Sequence, residues 1–175
     1  MGEQISIEWR AFLLRLEPKA TDRAEFVEYT KSWLRPASME PKATFQIWSS
    51  DSPPPTSSLP AQVAAKTMER YEPAKVFDYH RALLRAYFTD NRDISDNDVL
   101  ADIAAECDVE RAGFGSALVE HNVTMTQAVI EDHNSAIQSG VTAVPTVLIN
   151  NVMPVPGAQD VDTYEAWISR IRART

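Results

Sequence analysis

The strongest constraint on the fold of this chain is a change of period at Gly140. From Ala61 to Gln138 apolar residues recur at helical spacing, whereas Val141-Thr142-Ala143-Val144-Pro145-Thr146-Val147-Leu148-Ile149 is rich in β-branched residues, with a proline at the mouth of the run. A helix therefore has to end, and a strand begin, within a few residues. Gly140 suits the C′ position of that helix, where a left-handed backbone is usually required. Proline cannot donate to a sheet ladder and is tolerated at the first residue of a strand, so the Val144-Pro145 bond falls in the loop that delivers the strand. Bonds of the X-Pro type are also nearly the only ones that adopt the cis form. Val144, Pro145 and Thr146 are the first candidates for a site.

Other segments take their type from the same periodicities. Ile5, Ile7 and Trp9 alternate with Ser6, Glu8 and Arg10, a strand pattern. Asp22 with Glu25 resembles a capping box, opening a helix that presents Phe26, Tyr29, Trp33 and Leu34 and stops before Pro36. The stretch 49–58 stacks three prolines among serines and reads as a surface loop leading into an inserted helical subdomain. Four or five helices follow, broken at Pro73, around Asn91 to Ser95, near Asp108 and at His121 to Thr124. Val76, Tyr79, Leu83 and Tyr87 mark one inner face, and Val99, Leu100, Ile103 and Cys107 mark the next, capped by Ser95 and Asp98. Met125, Val129, Ala136 and Ile137 mark the last. Thr146–Ile149 and Val152–Val155 flank Asn150-Asn151, a pair suited to a two-residue hairpin turn. Asp160 or Asp162 caps a final helix with Tyr164, Trp167, Ile168 and Ile171 on its buried stripe.

Length and charge bound the function. The chain has 175 residues, enough for one domain with a sizeable insertion, and a net charge of −8 disfavours nucleic acid or an anionic membrane as partner. No basic leader followed by an apolar run opens it, and no apolar stretch approaches the roughly 18 residues of a membrane span, so a cytoplasmic location is expected. There is one cysteine, Cys107, and no Cys-x-x-Cys, which excludes an intramolecular redox pair in this sequence.

Three blocks together carry a resemblance. Pro53-Pro54-Pro55-Thr56-Ser57-Ser58-Leu59-Pro60-Ala61-Gln62-Val63-Ala64-Ala65-Lys66, then Ala82 through Asp96, then Gly140 through Thr146, resemble the DsbA-like thioredoxin-fold family. The nearest branches are the cytoplasmic FrnE-type oxidoreductases and, more distantly, the 2-hydroxychromene-2-carboxylate isomerases. The resemblance implies an α/β thioredoxin-like fold over 1–175, with 1–50 and 140–175 as its thioredoxin-like part and 56–139 as an all-helical insertion. It also implies that Pro145 is cis and would face a catalytic Cys-x-x-Cys on a strand-helix unit preceding Ile5 to Trp9, a unit this sequence lacks. The absent strand would be central in the family, and losing it would strip hydrogen bonds from its neighbours, so either the fold closes the gap, or a second chain fills it as in a homodimer, or the sequence starts at an internal methionine. The expected function is that of a thiol-disulfide oxidoreductase by descent, without its redox dithiol, acting on a protein or peptide thiol or disulfide. Alternatives are a non-catalytic peptide-binding module and a glutathione-dependent isomerase or transferase relative. No cofactor is expected except glutathione in that last case.

The remaining reactive side chains read as structural. Cys107 lies four residues from Ile103 on an apolar face, between Glu106 and Asp108, which oppose a thiolate. His80, His121 and His133 have no carboxylate or cysteine at metal-ligand spacing. Ser49, Ser50, Ser57 and Ser58 sit in a proline-rich loop without a nucleophile elbow or an assignable base. Trp48, just before that loop, serves either a groove or the core.

Overall fold

The computed structural model describes residues 5–14, 17–40, 44–151 and 153–173. They form two compact units, one from Leu13–Ile130 and the other from the described residues of Met1–Phe12 and Glu131–Thr175. The boundary falls within one long helix.

The larger unit begins at α1 (Arg23–Thr30), where the Asp22 carboxylate accepts the Ala24 and Glu25 N–H groups at 2.8 and 3.2 Å. The helix does not stop before Pro36. Lys31–Trp33 tighten into a single 3₁₀ turn and α2 (Leu34–Met39) restarts behind it, with Pro36 in its first turn. A first-turn N–H has no intrahelical partner to lose, so proline is tolerated there. Phe26 and Trp33 are buried as expected, whereas Tyr29 and Leu34 are exposed. Phe26, Trp33 and Trp48 form one aromatic core with Phe45, Tyr87 and Phe88, joined by edge-on contacts such as Trp33 to Phe88 at 4.8 Å and Phe26 to Trp48 at 5.1 Å.

Four helices make the second core of this unit. They are α3 (Leu59–Tyr71), α4 (Val76–Phe88), α5 (Asn97–Ala105) and α6 (Arg111–Glu120). Ala64, Met68, Tyr79, Leu100, Ile103 and Phe114 meet with no exposed surface, small alanines letting the helices approach the aromatic rings. The cap of α5 is Asp96, one residue later than Ser95; it accepts the Asp98 N–H at 2.8 Å, while Ser95 donates to Asp93. The hydroxyl of Tyr79 donates to the Leu100 carbonyl at 3.1 Å. A polar atom in so dry a place needs that partner. The break at His121 is a single residue, after which α7 (Asn122–Gln138) runs on.

In the smaller unit, β1 (Thr146–Ile149) pairs antiparallel with β2 (Met153–Pro156), and α8 (Val161–Arg172) follows with Asp160 accepting the Thr163 N–H at 2.7 Å. The register pairs Ile149 with Met153; Val152, which the hairpin expectation places at the start of the second strand, lies outside the described residues. Asn150 and Asn151 do adopt positive φ, 51° and 58°. Ile5 to Trp9 are not in a strand. Alternation readies a segment for a sheet, but a strand also needs a hydrogen-bonding neighbour. The stripe Tyr164, Trp167, Ile168 and Ile171 is half-buried rather than buried, and Ile137 is exposed.

Trp48 holds the aromatic core to its loop: it is 1% exposed, donates its backbone N–H to Thr30 Oγ1 at 3.0 Å, and donates its indole N–H to the Ser52 carbonyl at 3.1 Å. Trp48→Ala should lower the unfolding free energy by about 3–5 kcal/mol in a urea titration, the range for truncating a buried aromatic.

Candidate functional site

The site is built on the end of α7. Gly140, with φ of 81°, takes the C′ position; its N–H bonds the Ile137 carbonyl and the Val141 N–H bonds that of Ala136, both at 3.0 Å, while Val141 is buried beneath. This closing motif fixes where the chain leaves the helix. Thr142, Ala143, Val144 and Pro145 then run exposed, the Val144-Pro145 bond is cis, and the Thr146 hydroxyl bonds back to the Ala143 carbonyl at 2.7 Å.

The ladder has a definite phase. Gly157, at φ of 77°, donates its N–H to the Pro145 carbonyl at 2.8 Å, so residues 145, 147 and 149 are the ones whose backbone groups face β2. Thr146 and Leu148 consequently direct their N–H and C=O groups to the opposite edge. The same alternation points Pro154 and Pro156 away from β1, where neither has an N–H to offer. Sheet extension is blocked at β2 and open at β1, which has no further strand partner among the described residues.

Val144, Pro145 and Thr146 thus lie together at the open end of one strand edge. Reading the sequence alone missed Leu148 as the second edge residue, although the Pro154 and Pro156 alternation was the signal for it. It also missed Asp132. This carboxylate is 6% exposed and accepts from the Arg10 guanidinium at 2.8 Å and the Ala11 N–H at 3.0 Å, fastening the segment after Trp9 to α7. Its position continues the inner face of Met125 and Val129, and an acid on a buried face is the trace it leaves in sequence. His133 beside it packs against Phe12 in a tilted contact with ring centres 5.0 Å apart.

The other candidates are not brought to this strand. Ser49 gives its N–H to the Asn91 side chain at 2.9 Å, Ser50 bonds the Asn91 carbonyl, and the buried Ser57 hydroxyl accepts from Leu59. Ser58 precedes α3 without a side-chain cap. Trp48 belongs to the core. His121 ends α6, and burial together with Lys66 lowers the pKa of His80. Among the described residues no three histidine, cysteine or acidic side chains converge as metal ligands, and no helix is long and apolar enough to cross a membrane.

Residues 3–169 match the family model of the DSBA-like thioredoxin domain. The chain belongs to this family. The uncharacterised protein YwbO of Bacillus subtilis is 28% identical over 177 residues, spanning 96% of this chain and 83% of that one. Among solved structures, a putative protein disulfide isomerase from Nitrosomonas europaea superposes with a TM-score of 0.72 at 14% identity, over 88% of this chain and 78% of that one. The cytosolic disulfide reductase DsbM from Pseudomonas aeruginosa does so with 0.69 at 16% identity, over 94% and 82%; it has also been solved with GSH. The architecture is accordingly a thioredoxin-like fold carrying a helical insertion.

Against this DsbA-like background the thiol inventory is short. Cys107 is 8% exposed in the core of α3 to α6; burial raises its pKa first, and Asp78, Glu106 and Asp108 add to the effect, against Lys75. Disulfide exchange needs the thiolate. Near pH 8.5, where a free cysteine is half ionised, Cys107 should react with a disulfide reagent such as Ellman's at least about tenfold more slowly in the folded protein than in urea. A raised folded pKa also contributes stability that is present below the unfolded pKa and lost as pH rises through the folded one. The urea midpoint should therefore fall on the alkaline side, and less so in Cys107→Ala.

Proposed function

We propose that this chain is the substrate-holding partner in thiol-disulfide chemistry: it takes an extended segment of a protein or peptide thiol or disulfide along the open edge of β1, beside Val144, Pro145 and Thr146, and has no redox dithiol of its own in this sequence. The observation that supports this is the one-sided ladder. An edge with outward N–H and C=O at Thr146 and Leu148, next to an exposed loop, is what strand addition requires: main-chain bonds supply affinity and flanking side chains supply selectivity. The exchange step itself would need a thiolate at the substrate disulfide, and the single thiol is buried and biased toward the protonated form. Membership in the DSBA-like family supports the substrate class. A cytoplasmic setting is consistent with this reading.

Glutathione is the second ligand to test, since the similar DsbM has been solved with GSH and a cysteinyl tripeptide can lie along the same strand edge. Binding would show as calorimetric heat and as chemical-shift changes at Thr146 and Leu148; their absence removes glutathione from consideration.

Two measurements test the main reading. In an insulin-reduction assay the protein should not accelerate precipitation above the dithiothreitol background, and acceleration abolished by Cys107→Ser would overturn the assignment. A labelled extended peptide from a cysteine-containing protein should bind by fluorescence anisotropy, and Thr146→Pro, which removes one outward N–H, should weaken it by about tenfold, roughly 1.4 kcal/mol. Unchanged affinity in a folded Thr146→Pro variant would show that the edge is not used.

A further inference from the structure

From the outer face of α6 we infer a docking groove for a basic amphipathic helix of a partner protein. The groove lies between α5 and α6, wholly within the larger unit, and is independent of the β1 edge and of any substrate held there.

Two features of α6 point to an occupant. First, the helix has no charged face. Phe114, Ala117 and Leu118 fill the core, and the opposite face shows Ala112, Ser116 and Val119 to solvent, with no charged residue between Arg111 and Glu120. The exposed side of a surface helix normally carries its charges, and a helix without such a side is one that is covered all round. Second, Gly115 is a glycine that the fold itself does not call for. Gly113 has a packing reason, since a Cβ there would overlap the Tyr71 hydroxyl oxygen and come within 2.7 Å of a Glu110 carboxylate oxygen. A Cβ on Gly115 would meet only the Ala101 methyl, at an ordinary contact of 3.8 Å, and its φ is not positive. Glycine inside a helix is unfavourable relative to alanine, so its cost is offset by something outside the packing of α5 on α6. The missing side chain leaves a notch in a groove of about 590 Å³, floored by Ala101, Ala112, Gly115, Ser116 and Val119.

The walls choose the occupant. Inside α5 and α6 the main-chain groups bond within each helix, so an extended segment would find no ladder to join, whereas a helix brings its own bonds with it. Ala112, Gly115, Ser116 and Val119 are spaced i, i+3, i+4 and i+7, a row of small residues along which a second helix can lay a ridge of side chains. Charge then sets the chemistry of that helix. The rim carries Asp96, Asp98 and Glu120 against one cation, Arg111, which is already held by Asp98 at 3.3 Å and Asp102 at 2.5 Å. An acidic rim on a chain of net charge −8 attracts lysine and arginine beside the apolar ridge and repels an acidic helix.

The test titrates the isotope-labelled full chain with an amphipathic helical peptide of leucine, alanine and lysine, read by amide chemical shifts. The lysine peptide should shift the signals of Gly115, Ser116 and Val119, and its counterpart with glutamate at every lysine position should not. Glu120→Lys should weaken binding at least about threefold and Gly115→Leu at least about tenfold, each with the circular dichroism of the wild type. Gly115→Ala should raise the urea midpoint, because the glycine serves the groove and not the fold. Any of four results overturns the groove: a lower midpoint for Gly115→Ala, which places the glycine in the helix packing; no shift at these residues with the lysine peptide; equal binding of the two peptides; or binding that a folded Glu120→Lys or Gly115→Leu variant leaves unchanged. Peptide binding at the β1 edge is read separately, at the amides of Thr146 and Leu148.

Discussion

The N–H of Gly157 bonds the Pro145 carbonyl, and the phase this sets for the β1–β2 ladder decides what the smaller unit can do. Antiparallel pairing alternates, so once residue 145 faces β2, residues 147 and 149 must as well, and 146 and 148 must face away. Had the register slipped by one, Pro154 and Pro156 would have pointed their missing donors into the hairpin, and the ladder would have lost two bonds. The observed phase is the one in which the prolines cost nothing internally and disable one outer edge. Gly157 can serve because its φ of 77° lies in the region that residues with a Cβ rarely adopt.

A second constraint organises the larger unit around Asn91. This residue is 2% exposed with φ of 52°, and its side-chain oxygen accepts the Ser49 N–H while its amide donates to the Gln46 carbonyl at 3.4 Å. Asparagine tolerates the left-handed region and has both a donor and an acceptor to spend there. The serine-rich loop, a natural place to look for nucleophiles, is therefore folded inward on Asn91, with Arg23 bonding the carbonyls of Ser50 and Ser52 from outside. The Ser50 and Ser57 hydroxyls are already committed to holding the loop.

Much of this was legible in the residues. Gly140 at C′, Asp22 and Asp160 as caps, and the inner faces Tyr79-Leu83 and Leu100-Ile103-Cys107 follow from local rules that need no knowledge of distant parts. What was not legible depends on partners. Ile5 to Trp9 has the alternation of a strand without a ladder, since alternation describes one segment and a ladder requires two. Pro36 was misread because proline breaks helix interiors but not first turns, and the 3₁₀ turn that makes Leu34 a new start is set by Trp33 packing on Tyr87 and Phe88. Asp132 escaped notice because the pairing with Arg10 spans 122 positions of sequence.

Holding a substrate and exchanging its disulfide are separable demands on a chain. Strand addition uses backbone groups that every residue except proline supplies in full, so it depends chiefly on phase, exposure and an unblocked edge. Exchange is the opposite case: it depends on one ionised sulfur at a defined place, and burial with three carboxylates around it biases a thiol against ionising. Cys107 lies just past the end of α5 in the same apolar core as Ile103, a place where a protonated thiol serves and a thiolate would not. The proposed binding of a thiol or disulfide substrate therefore rests on the β1 edge and not on Cys107.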